Sequence, residues 1–148
     1  MNIIQWHIPK GANNPNEKIN PDMIVIHYSG QAGVSAERLA QCLINNNAND
    51  VSANYCVDDK DVICTIPPGY MSYGVTAENH HIINIEVCYK DPAGRFELLT
   101  IAKLYLLVKK LMKAYDRFKA DGYTLKVYDA YRPIRVQRIL FNIVKNKH

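Results

Sequence analysis

Apolar residues along this chain fall into two kinds of run. Short stretches rich in Val, Ile and Tyr at residues 23–28, 52–57, 62–66 and 82–89 read as strands, because β-branched and aromatic side chains suit a pleated, half-buried surface. Period-two alternation in the last of them puts Asn84, Glu86 and Cys88 on one face and Ile83, Ile85 and Val87 on the other. Asp58-Asp59-Lys60-Asp61 divides the two middle runs as the turn of a hairpin, and Pro67-Pro68-Gly69 stops its second arm. The other kind of run repeats at three and four residues. Ser35 is placed to cap a helix that turns Leu39, Cys42 and Leu43 inward and ends at Asn45-Asn46-Asn47. Residues 98–118 predict a long amphipathic helix with Leu98, Ile101, Tyr105, Val108, Met112 and Tyr115 on its inner stripe.

Gly122 then suits a helix stop, residues 124–128 read as a further strand, and Pro133 opens a last helix with Ile134, Ile139, Leu140 and Ile143 inward. Residues 9–21 are dense in turn formers, so 1–22 is expected to be an N-terminal arm and 23–148 a single domain. The order of elements predicts an α/β fold, a mixed central β-sheet flanked by helices.

Composition narrows the function classes only a little. A chain of 148 residues is long enough for one self-sufficient core. Its formal charge of +4 suits an anionic polymer such as a cell-wall glycan. Nucleic acid is not the expected partner, because the basic residues are spread over two helices without a recognised motif. Ten tyrosines suit a groove for sugars and peptides. Cys42, Cys56, Cys64 and Cys88 lie in apolar patterns with no C-x-x-C spacing, which predicts buried free thiols, with a ligand or a disulfide as the other readings. The N-terminus has no basic and apolar export signal, and no apolar run approaches the roughly 20 residues of a membrane span. The expectation is a soluble cytoplasmic protein that could act at the cell wall after lysis or non-classical release.

Two ionisable residues stand out against apolar neighbours, His27 in the first strong strand and Glu86 in a later one. Each has a plain reading, a hydrogen-bonded core histidine and a carboxylate paired with a lysine. Together they also suit hydrolysis, in which imidazole binds zinc and a carboxylate handles the proton of the attacking water.

Ile24-Val-Ile-His27-Tyr28-Ser29, Val51-Ser-Ala-Asn54-Tyr55-Cys-Val-Asp-Asp, Ile66-Pro67 and Asn84-Ile-Glu86-Val-Cys88 occur in the order and at the spacing of one known family. In these stretches the chain resembles the zinc-dependent N-acetylmuramoyl-L-alanine amidases of type 2, related to peptidoglycan recognition proteins. The resemblance implies a peptidoglycan hydrolase that cuts the amide between N-acetylmuramic acid and the L-alanine of the stem peptide. It implies zinc as cofactor, His27 as a metal ligand, Glu86 as the catalytic acid/base, and Asn54, Tyr55 and Tyr73 at the substrate. Val127 and Arg135 stand where the family's other two ligands are expected, and Pro133 replaces a lysine.

The segment from Gly122 to Gln137, with Asp129-Ala-Tyr131-Arg132-Pro133, has a second resemblance, to D-Ala-D-Ala dipeptidases, which implies that Arg132 holds substrate. Other donors for zinc are His80, His81 and Asp129. Two functions therefore stand at this point, an active metallo-amidase and a non-catalytic peptidoglycan-binding module.

Overall fold

A computed structural model of the chain describes residues 1–45 and 50–114. Among the described residues seven elements follow one another: β1 (Ile4–Gln5), β2 (Met23–Tyr28), α1 (Ala36–Asn45), β3 (Tyr55–Val57), β4 (Val62–Cys64), β5 (Ile82–Val87) and α2 (Leu98–Ala114). The strand expected at 124–128, the last helix, Asp129, Arg132 and the dipeptidase-like segment lie outside the described residues.

The described strands form one sheet in the order β1-β4-β3-β5-β2. The β3–β4 hairpin is antiparallel, whereas β2 and β3 each run parallel to β5, and β1 runs parallel to β4. This is the mixed sheet that the order of elements predicts. Alternation along β5 holds: Ile83, Ile85 and Val87 join Ile24, Ile26, Val57 and Val62 in the larger core, closed by Leu107, Val108 and Leu111 of α2. On the opposite face Cys56 and Ile63 pack against Ala36 and Ala40 of α1, with Leu39, Leu43 and Trp6 around them. Helices thus cover both faces, which leaves the parallel strands buried on two sides.

Asp58 fixes the junction between the hairpin and α1. Its Oδ1 accepts the backbone N–H groups of Lys60 and Asp61, each at 2.7 Å, and its Oδ2 accepts the N–H of Ala36 at 2.8 Å. One carboxylate therefore closes the turn and satisfies a donor in the first turn of a helix, where negative charge is favoured. Ser35 caps the same helix, its Oγ accepting from Arg38 N at 3.1 Å.

Three expectations are corrected. Ordered structure starts before Met23: β1 pairs with β4, Trp6 N donates to Cys64 O at 2.9 Å and Ile8 N to Thr65 O at 2.8 Å, which buries Ile8. The arm is also tied down beyond β1, since Asn14 Nδ2 donates to Ile8 O at 2.7 Å and Asn13 Nδ2 to Leu43 O at 3.1 Å. Cys42 is exposed, because the inner stripe of α1 is centred on Ala36 and Ala40. On α2 the buried positions are Thr100, Leu107, Val108 and Leu111, while Leu98, Ile101 and Tyr105 face outward. The helix carries apolar residues at three-four spacing on more than one face, so periodicity gave its existence and not its phase.

Candidate active site

His27 and Glu86 occupy directly paired positions on the parallel strands β2 and β5. Paired residues on neighbouring strands present their side chains to the same face of the sheet. Both are half-buried, among strand neighbours that are almost entirely buried. The two residues that stood out in the sequence are thus brought side by side by the sheet register.

Glu86 opens onto a groove of about 770 Å³, also lined by Tyr28, Ser29, Tyr73, Val75, Thr76 and His80. Tyr28 is braced there by the ring of Tyr89 at 5.8 Å, which in turn meets Phe96 edge-on at 5.8 Å. Burial pushes the Glu86 carboxyl up to about 7, since a low-dielectric setting disfavours its charged form. A carboxyl so placed exchanges protons readily near neutral pH, the property required of a general acid/base.

His27 does not line the groove itself; its Nε2 lies 2.9 Å from Asn84 Oδ1. Asn84 is two residues before Glu86 on the same face of β5, and it belongs to a buried polar cluster with Ser72 and Asn54. Sequence reading placed Asn84 on the right face but did not give it a role. Its partners Ser72, Asn54 and His27 lie 12, 30 and 57 residues away, contacts no local pattern encodes.

The remaining predicted residues separate clearly. Tyr73 lines the groove. Asn54 is fully buried, its Nδ2 directed at the carbonyls of Ile66, Pro67 and Tyr70 and its Oδ1 accepting from Ser72 and Asn84. Tyr55 is buried in the core beneath α2. Both side chains therefore act from within the fold. Of the two loop histidines, His80 lines the groove, with its Nδ1 3.1 Å from Glu17. The ring of His81 is engaged at both nitrogens, 3.0 Å from Asp22 and 2.7 Å from Glu78.

Among the described residues no group of three His, Cys, Asp or Glu side chains gathers to hold a metal. Zinc takes at least three protein donors, so the described residues offer His27 toward one and do not complete a zinc site. Burial pushes Cys64 up to about 11 and Cys88 up to about 12 and raises Cys56, which favours the neutral thiol at each.

The described residues form a mixed sheet between helices, with a carboxyl facing a groove beside a strand-borne imidazole. The family model described as N-acetylmuramoyl-L-alanine amidase matches residues 16–132, and the chain belongs to that family. The catalytic domain of XlyA is similar at 25% identity and TM-score 0.70, over 78% of each chain. A mutant endolysin from Bacillus subtilis is similar at 27% identity and TM-score 0.68, again over 78% of each chain. The Staphylococcus aureus hydrolase AmiA, solved in complex with its ligand, shares the fold at 21% identity and TM-score 0.64, over 86% of this chain and 64% of that one. No curated protein matches the chain by sequence.

Proposed function

We propose that the protein is a peptidoglycan hydrolase that cleaves the amide between the lactyl carbonyl of N-acetylmuramic acid and the amino group of L-alanine, with Glu86 as its acid/base. Membership of the amidase family supports the reaction, and the half-buried Glu86 carboxyl at the groove is the observation that carries the assignment. Ionised Glu86 takes a proton from the attacking water as its oxygen bonds to the lactyl carbonyl carbon. When the carbon–nitrogen bond breaks, the same carboxyl returns a proton to the departing amine. The products are a lactyl carboxylate and a stem peptide with a free N-terminal alanine.

Tyr28 and Tyr73 border the groove with faces for sugar rings and hydroxyls for hydrogen bonds. Arg132, outside the described residues, is proposed as a substrate contact on the sequence resemblance alone. Asn54 and Tyr55, expected at the substrate, are buried within the fold and do not line the groove. Zinc is typical of the family, and His27 is proposed as its ligand from β2; a metal held there would supply Lewis-acid polarisation of a carbonyl.

Digestion of purified wall fragments tests this reading. New N-terminal alanine should accumulate with wild-type protein and fall by at least ~10²-fold with Glu86→Gln. Metal analysis of the same preparations should find zinc in wild type and less in His27→Ala. Binding of wall fragments without any new amino terminus would favour the non-catalytic module instead.

A further inference from the structure

The proton on the His27 ring is positioned by a chain of hydrogen bonds whose direction is set deep in the fold. Asn54 is the anchor. Its amide nitrogen lies 3.3, 3.3 and 3.1 Å from the backbone carbonyls of Ile66, Pro67 and Tyr70, groups that can only accept. Its Oδ1 lies 2.9 Å from the backbone N–H of Asn84, a group that can only donate. The Asn54 amide consequently has one tenable orientation.

Every later bond inherits that direction. Ser72 Oγ, 2.7 Å from Asn54 Oδ1, must donate its single proton there. The Asn84 side-chain atom 2.8 Å from Ser72 Oγ must then be a donor, the Nδ2 amide, which also faces the Ser72 carbonyl at 3.4 Å. That leaves Asn84 Oδ1 turned to His27 Nε2 at 2.9 Å. An amide oxygen can only accept, so the imidazole nitrogen has to carry the hydrogen.

Gly74 confines the same amide. A Cβ there would lie 2.3 Å from Asn84 Oδ1, 2.4 Å from Cγ and 2.7 Å from Nδ2, so the Asn84 side chain fills the space a larger residue would need. Asn54, Asn84 and Ser72 are fully or almost fully buried, where a reversed amide would leave donors facing donors at high cost.

We propose that Asn54, Ser72 and Asn84 are positioning residues that hold His27 in the Nε2–H tautomer, with the ring's lone pair on Nδ1. Among the described residues no hydrogen bond reaches Nδ1. The use of that lone pair rests on the amidase reading; the location of the proton does not. Fixing the tautomer through the nitrogen that does not ligate is how protein scaffolds orient imidazole ligands.

The test is nitrogen-15 NMR of the full chain at about pH 8, with the His27 ring signals assigned by their loss in His27→Gln. Wild type should show a ring proton coupled to Nε2 and protected from exchange by its buried partner. Asn84→Ala should lose that signal, and Asn84→Asp, which still offers an acceptor, should keep it. Ser72→Ala removes the closer partner of the Asn84 amide and leaves it only the longer contact to the residue 72 carbonyl, so the protection of the signal should fall. A proton on Nδ1 in the wild type would overturn the proposal, as would a protected Nε2 proton that persists in both alanine variants. If Asn84→Ala does not fold, the wild type and Ser72→Ala still decide. Failure to cleave peptidoglycan would leave these resonances unchanged, so the two readings fail separately.

Discussion

Burial of Glu86 has a definite sign for stability. The folded chain holds this proton up to about 7, against an ordinary value of 4.5, so between those limits it binds more protons than the unfolded chain. Stability therefore falls as pH rises through that window, by up to roughly 3 kcal/mol once the group is fully ionised. Glu86→Gln removes the charge and should flatten this loss. Urea midpoints at about pH 5 and about pH 8 should separate more in wild type than in the variant; an equal separation would place the pH dependence elsewhere. Gly74→Ala should destabilise by roughly 1–3 kcal/mol, because the added methyl cannot coexist with Asn84. An unchanged urea midpoint would contradict that close approach.

At this scale the sequence made two side chains legible and hid their supports. His27 and Glu86 could be found because each interrupts a β-branched run. Asn54 reads as a site residue in the motif, yet it spends its polar side-chain atoms inside the fold, on the carbonyls of Ile66, Pro67 and Tyr70, the Ser72 hydroxyl and the backbone N–H of Asn84.

Among the elements, strands were easier to read than the faces of helices. Alternation in residues 82–89 located the core face of β5 correctly, because a strand has only two sides and Ile83, Ile85 and Val87 share one. On α2 the exposed Leu98, Leu99, Ile101, Tyr105 and Leu106 are as apolar as the buried stripe, so hydrophobicity could not choose between them. Tyr105 instead lies outward under Lys109, whose Nζ is 5.4 Å from the ring centroid. The two-residue β1 escaped notice because a parallel edge pairing leaves no period to detect. The polar turn between β3 and β4 was legible, but not its second duty. Asp58→Ala should loosen the turn and the start of α1 together, at a cost of roughly 2 kcal/mol. Hydrogen exchange should quicken at the amides of Ala36, Lys60 and Asp61 alike; a change confined to the hairpin would refute the shared role.

For the molecule as a whole, the class of fold followed from element order, while the strand order did not. Placing β5 between β3 and β2 brings residues 27 and 86 together across 59 positions of sequence, and only the register makes them neighbours. The family match across residues 16–132 agrees with the motifs in the chain, which lie on β2, at the β3–β4 hairpin and on β5. No described helix is long and apolar enough to cross a membrane. The formal charge of +4 favours approach to an anionic wall polymer, so adsorption to wall fragments should weaken as salt rises.

The site's chemistry predicts where water's oxygen ends up. Muramyl peptides incubated with the protein in oxygen-18 water, followed by mass spectrometry of both fragments, should place the heavy oxygen on the lactyl carboxylate and none on the peptide beginning with L-alanine. Label on a sugar carbon or a carboxylate within the stem peptide would contradict the account, as would a lactyl-labelled product formed equally fast by Glu86→Gln.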